Sequence, residues 1–177
     1  NKKKIRLINF GIIVYQKNQI LILKSLKYLN FDYELFIIGS GKLYNDLNSH
    51  IIKNKLEKKA RIMPHSQNPY KYISKADIFI LSSIFEGMPN VLLEAGYLKT
   101  LIVSSDCPTG PREIINNGVN GYIFKNNNKL DLAKKLNMAF KKNLINKKKI
   151  KNMFKYVRKN YNEHNMNKFI RIIEKIS

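Results

Sequence analysis

Two glutamates, Glu86 and Glu94, bracket the segment FEGMPNVLLEA that runs from Phe85 to Ala95. Pro89 suits the first position of a helix, where its missing N–H would be unpaired anyway. The N–H groups of Asn90, Val91 and Leu92 are then expected to point out of the helix start without partners. With the helix dipole they would make an anion site suited to a diphosphate. Gly87 lets backbone come close to a ligand, and Met88 lies in the same loop. Glu94, just over a turn into the helix, could accept hydrogen bonds from a vicinal diol such as a ribose. Glu86, in the loop before the helix, would hold the other end of a sugar-nucleotide. The same acids could equally favour the helix start electrostatically or form surface pairs, and their spacing alone does not choose.

Other residues offer weaker chemistry. Gly39-Ser40-Gly41 closes a strand and opens a helix, so it could hold a phosphate or only turn tightly. Lys17 precedes a helix and could reach a phosphate or be a surface charge. His65 could pack near a base or cap a loop. Cys107 reads as a small loop residue, since no His or Asn is placed to activate it. One cysteine excludes an internal disulfide and a thiolate cluster, and the three histidines show no metal-ligand spacing. No metal cluster is therefore expected, and an anion site built from a cation and a helix start would call for no metal and no cofactor.

The elements that position these residues alternate. Strand-like runs are Ile5–Phe10, Glu34–Gly39, Ala60–Met63, Asp77–Ser82, Leu101–Ser104 and Tyr122–Phe124. Helix-like stretches between them are Asn18–Leu29, Leu43–Leu56, Pro69–Ser74, Pro89–Leu98 and Pro111–Asn116. The runs LFIIG and IFILS are nearly all apolar, as strands are when helices cover both faces of a parallel sheet. The pattern predicts an α/β fold: a Rossmann-like, doubly wound parallel sheet of about six strands with helices on both faces. Residues 1–125 form the sheet region. Residues 126–177 add C-terminal helices at Lys129–Lys142, Lys147–Asn160 and Asn165–Lys175. Gly11, Gly39–Gly41, His65–Ser66, Ser82–Gly87 and Ser105–Gly110 all fall at carboxyl ends of strands, where open α/β sheets bind ligands.

The chain has 177 residues, 44% of them apolar and 25% charged, which fits one domain with its own core. No apolar run is long enough to span a bilayer, and the N-terminus carries no signal-peptide pattern. A cytoplasmic location fits. The chain begins at Asn1 rather than Met, which fits a piece of something longer as well as a complete chain. The formal charge is +21, from 33 basic and 12 acidic residues. Compositional drift toward Lys, Asn and Ile on solvated faces accounts for this charge as well as a functional basic face does. Such a face would meet anionic lipid headgroups, a phosphate-bearing lipid acceptor or nucleic acid. Nucleic acid is disfavoured, because aromatic-basic recognition motifs are lacking and Tyr and Phe fall at core positions.

Taken together, the residues resemble glycosyltransferase family 4, whose members have the GT-B architecture of two Rossmann-like domains. FEGMPNVLLEA is similar to that family's Glu-x7-Glu motif. QKNQILI (Gln16–Ile22), LFIIGSGKLYNDL (Leu35–Leu47), NPYKYISKADIFILSS (Asn68–Ser83) and SSDCPTGPREIINNGVNGYIF (Ser104–Phe124) resemble its other motifs, in order. The resemblance implies that the chain is the donor-binding domain of a retaining enzyme and that the N-terminal acceptor-binding domain is not in this sequence. Glu86 would contact the donor sugar, and Glu94 the ribose. Lys17 would bind the diphosphate, making Glu86 and Lys17 the catalytic pair. Gly11, Gly87, Met88, Asn90 and Val91 would line the donor. Gly39, Gly41, His65 and Arg112 are secondary candidates. The donor would be a nucleotide-sugar, with UDP the expected nucleotide. The acceptor would be a glycan or lipid-linked, in polysaccharide, lipopolysaccharide or glycolipid assembly at the inner face of a membrane. Two departures stand out: Ile12 follows Gly11 where the family carries an arginine, and Pro64 stands at a glycine position. Ile12 keeps open a non-catalytic nucleotide-sugar-binding module. A sugar-nucleotide epimerase on the same architecture is also open.

Overall fold

The computed structural model describes residues 4–141 and 143–160. The expected third C-terminal helix, Asn165–Lys175, lies outside them. Six strands form one sheet: β1 (Ile5–Phe10), β2 (Tyr33–Ile38), β3 (Ala60–Met63), β4 (Ile78–Leu81), β5 (Leu101–Asp106) and β6 (Tyr122–Lys125). Their order is β3-β2-β1-β4-β5-β6 and every pair is parallel. This is a doubly wound Rossmann-like sheet, whose order reverses between β1 and β4.

Both faces are covered because alternate strand residues point opposite ways. Leu7, Leu35, Ile37, Ile80, Val103 and Phe124 face one core, under α1 (Gln19–Ser25), α2 (Tyr44–Lys53) and α6 (Lys129–Lys141). Ile8, Ile38, Phe79, Leu81, Ile102 and Ile123 face the other. That core is closed by α3 (Tyr70–Ile73), α4 (Asn90–Tyr97), α5 (Pro111–Ile114) and α7 (Asn143–Asn160). The near-continuous apolar strands thus follow from two-sided burial.

Several boundaries differ from the sequence reading. The first helix is shorter: α1 ends at Ser25 and a 3₁₀ turn, Leu26–Tyr28, follows. Another 3₁₀ turn, Tyr15–Lys17, precedes it and was not expected. Helix α7 begins at Asn143 rather than Lys147. Asn146 is buried and takes the Tyr122 hydroxyl on its Oδ1 at 3.0 Å, which ties this added first turn to the sheet. No described helix is long and apolar enough to cross a membrane.

Candidate functional site

The crevice forms where β1 and β4 part. Their ladder covers only Leu7↔Ile78 and Ile8↔Phe79. Beyond it the buried Asn9 side chain takes over, donating from Nδ2 to the Ile80 carbonyl at 2.9 Å. The loops after the two strands then run past one another, cross-linked by polar groups. Ile84 N–H donates to Gln16 O at 2.8 Å, Gln16 Nε2 to Phe85 O at 3.0 Å, and Ser82 Oγ to Lys17 O at 2.7 Å.

These links bring Lys17 and Glu86 together. Lys17 Nζ lies 2.7 Å from Glu86 Oε1, with the Lys17 side chain 22% exposed and that of Glu86 7%. The fully buried Ser83 donates its hydroxyl to the same Oε1 at 2.5 Å. Ser83 is itself held by the buried Ser105, whose Oγ donates to Ser83 O at 2.7 Å. Glu86 Oε2 has no partner among the described residues. Lys17 has three N–H donors and this pair uses one. The pair therefore keeps an open acceptor and open donors side by side. A methyl placed on Gly11 would lie 3.9 Å from Lys17 Cε, so Gly11 borders the cation.

The loop carrying Glu86 is clamped from β5 as well. Thr109 Oγ1 donates to Glu86 O. Gly110 has φ +80, and a Cβ there would run into Gly87 O and Pro89 Cδ. Only glycine combines that backbone with that contact. Nothing would crowd a Cβ at Gly87, which faces open space. Phe85 and Met88 are about half exposed at the rim.

At the start of α4 the structure corrects one expectation. Asn90 N–H donates to Met88 O and Leu92 N–H to Pro89 O, both at 2.9 Å. Only Val91, of the three N–H groups expected to be free, lacks a backbone acceptor. The reason is that Pro89, with ψ 77, sits before the helix rather than in its first turn, so the entry folds back on itself. One turn on, Glu94 is half buried and its carboxylate has no hydrogen-bond partner among the described residues. Burial pushes its pKa up. The Tyr70 hydroxyl of α3 titrates at about 12, from burial first and the Glu94 charge second.

The secondary candidates divide. Gly39 and Gly41 pack on the β1 loop: a Cβ on Gly39 would strike Gly11 O, and one on Gly41 the backbone of Ile13. Both are thus required by close backbone packing, and Ile13 N–H donates to Ser40 O at 2.8 Å across it. His65 is exposed and stacks on Phe10, ring centres 6.0 Å apart, at the end of β1. Arg112 is exposed and grips Asp106 with Nε and Nη2, each at 2.5 Å, which holds the Asp106 carboxyl below its usual range. Neither His65 nor Arg112 touches Lys17 or Glu86. Ile12 is 56% exposed, its carbonyl taken by Gln19 Nε2 at 2.9 Å. The sequence reading placed Ser83, Thr109 and Gly110 at the carboxyl ends of strands but gave none of them, nor Gln16, a part in building the site. Among the described residues no group of three or more His, Cys, Asp or Glu is placed to hold a metal ion.

Residues 1–160 match the family model described as glycosyl transferases group 1. The chain belongs to that family. Among curated relatives of this glycosyltransferase domain is an uncharacterized glycosyltransferase of Methanocaldococcus jannaschii. It is 37% identical over 111 residues, 61% of this chain and 27% of the relative. Another is a Campylobacter jejuni N-acetylgalactosaminyltransferase named for a diphospho-undecaprenol-linked acceptor. It is 31% identical over 123 residues, 70% of this chain and 34% of the relative. The matched segment thus spans about a third of these relatives. Among solved structures, Anabaena HepE in complex with UDP and glucose superposes with TM-score 0.87 at 16% identity, covering 98% of this chain and 49% of HepE. The lipopolysaccharide outer core galactosyltransferase WaaB gives 0.82 at 22% identity, covering 99% and 50%. At those identities the likeness establishes the fold, and the family match carries the glycosyltransferase assignment.

Proposed function

We propose that this glycosyltransferase domain is the donor-binding half of a retaining family 4 enzyme that transfers a hexose-type sugar from a UDP-sugar. The acceptor in this reading is a glycan or lipid-linked glycan in polysaccharide, lipopolysaccharide or glycolipid assembly. An acceptor-binding domain outside this sequence forms the other wall of the cleft. The observation that carries the reading is the Lys17–Glu86 pair at the switch point, with an open carboxylate oxygen and open ammonium donors facing one crevice.

In this reading Lys17 holds the diphosphate and balances charge as it develops on the leaving group. The Val91 N–H and the start of α4 add a weaker partial charge on the same side. Glu86 Oε2 accepts donor-sugar hydroxyls while Ser83 fixes its other oxygen. Glu94 takes the ribose diol, which gives its half-buried carboxylate the partners it lacks in the empty protein. Gly87 and Val91 present main chain to sugar and phosphate, and Gly11 and Met88 border them. Such a site balances the diphosphate without a metal ion. The carbon–oxygen bond to UDP breaks, the acceptor hydroxyl forms the new one on the same face, and its proton leaves with the UDP phosphate. The related chemistries of HepE, which was solved with UDP and glucose, and of WaaB, named a galactosyltransferase, support a UDP-sugar donor.

Calorimetry with UDP and UDP-glucose, in chelator, tests this. Binding that disappears in chelator overturns the metal-free site, and no binding of any nucleoside diphosphate or its sugar overturns the donor-domain reading. Ile12 favours a second reading, a nucleotide-sugar-binding module without transfer. Its exposed side chain leaves room for the missing cation, so Ile12→Arg is expected to tighten UDP binding about tenfold by a charge-assisted contact. A silent Ile12→Arg together with a silent Lys17→Ala would place the diphosphate elsewhere.

A further inference from the structure

We propose that α7 is a docking face for an anionic lipid surface. From Leu132 to Asn162 the sequence has no Asp or Glu, yet it carries ten lysines and one arginine. The structure sorts them. Lys149 is 5% exposed, reaching from its helix to the Gly118 carbonyl with Nζ 5.0 Å from the Tyr122 ring centre. Met153 and Val157, on the same side, fill the sheet core. Lys147, Lys148, Lys151, Lys155, Arg158 and Lys159 are all exposed. At 3.6 residues per turn these six fall within an arc of about 120°, opposite the buried side, along roughly 18 Å of helix.

Some cations elsewhere on the protein are paired. Lys4 pairs with Glu34, Lys59 with Asp32 and Arg112 with Asp106. None of the six on α7 lies within ion-pair distance of a carboxylate among the described residues. A straight row of charge without carboxylate partners along one helix matches a plane of anionic headgroups, and the field of such a plane acts within a Debye length of the surface. Five of the six are lysines, mobile point charges suited to fluid headgroups rather than to the forked recognition that arginine gives nucleic-acid phosphates. Phe154, beside the stripe, is half-buried and covered by Lys99 and Arg158, so it offers no free ring face on which bases could stack. A surface of this kind would hold the domain beside a lipid-linked acceptor, although the docking face does not depend on the donor-site reading.

The test uses sedimentation of the full chain with phosphatidylglycerol–phosphatidylcholine vesicles, pure phosphatidylcholine vesicles and random-sequence DNA at several salt concentrations. Variant one carries Lys147→Gln, Lys148→Gln, Lys151→Gln and Lys155→Gln. Variant two removes the same charge elsewhere, with Lys42→Gln, Lys53→Gln, Lys58→Gln and Lys75→Gln. At about fivefold per surface lysine, variant one is expected to lose several hundredfold in partitioning onto anionic vesicles, with an unchanged melting temperature. Variant two is expected to lose less than tenfold. Equal losses in both variants would mean that net charge alone acts, and the α7 face falls. Equal binding to neutral vesicles, or tighter binding to DNA than to anionic vesicles with the same variant sensitivity, also overturns it.

Discussion

The two acids of the crevice are treated in opposite ways by the fold. Glu86, in the loop after β4, is 7% exposed in its side chain and already charge-paired, with Lys17 and Ser83 on one oxygen and the other left open. Glu94, a turn into α4, is half buried, unpartnered among the described residues and pushed up in pKa by burial. The first is a preassembled device held by loops from three strands. The second is a carboxylate whose burial is offset only when something else supplies donors. A site of this kind separates orientation, set before the ligand arrives, from affinity, gained when the ligand does. It follows that the two acids should respond differently to the same substitution.

The largest effect is expected at the cation that serves the preassembled side. Lys17→Ala removes the diphosphate's counter-charge and leaves Glu86 facing phosphate without compensation, so UDP affinity should fall about a hundredfold or more by calorimetry. Next comes the direct comparison. Glu94→Ala should cost UDP binding about ten- to a hundredfold, the loss of charge-assisted hydrogen bonds worth about 1.5–3 kcal/mol. Glu86→Ala should change bare UDP affinity about threefold or less, yet erase any preference for UDP-glucose over UDP. If both substitutions weaken bare UDP equally, the division of labour fails.

The sequence made the satisfied side harder to read than the unsatisfied one. The strands were legible because two-sided burial writes itself as unbroken runs such as Ile78–Leu81, and their carboxyl ends carried the small and polar residues. Glu94 was legible because its place on a helix follows from Pro89 and the apolar run after it. The Lys17–Glu86 contact joins residues 69 apart in sequence, and nothing local encodes it. Gly110 was given no role for the same reason, since it acts from the loop after β5 on the loop after β4, whereas Ser83 sits only three residues before Glu86 and its hydroxyl offers several possible acceptors. Where the reading went wrong, at the Asn90 and Leu92 N–H groups, a ψ of 77 at Pro89 turned the helix entry inward. A proline's φ is readable from sequence and its ψ is not.

Gly110 sharpens the comparison from the scaffold. Gly110→Ala puts a Cβ against Gly87 O and Pro89 Cδ at φ +80, so the loop of Glu86 must move or the backbone must strain. A loss of about 1–3 kcal/mol in stability by denaturant titration is expected. The sugar preference should decline with it, because Glu86 shifts relative to Lys17. Glu94 lies beyond the clamp on α4, so bare UDP affinity should change much less. A Gly110→Ala protein of wild-type stability and sugar preference would show that the clamp does not set the Glu86 geometry.

The smallest effect has the most diagnostic sign. Glu94 titrates higher in the fold than in the unfolded chain because burial disfavours its charge. The folded state therefore holds the proton more tightly, and between the two pKa values it binds more protons than the unfolded state does. By linkage, stability must fall as pH rises through that window, from the unfolded value toward the folded one. Above it the ligand-free protein carries a fixed penalty for a buried, unpaired carboxylate. Glu94→Gln keeps the shape and removes the charge. It should raise the melting temperature of the ligand-free chain at pH 7, leave it nearly unchanged at pH 4, and still weaken UDP binding, since an amide accepts fewer and weaker hydrogen bonds from a diol than a carboxylate does. Glu86→Gln should do the reverse at pH 7, because it leaves the Lys17 ammonium with only a neutral amide oxygen in place of its counter-charge. If Glu94→Gln lowers the ligand-free melting temperature at pH 7, the carboxylate has partners in the empty protein, and the contrast between the two acids disappears.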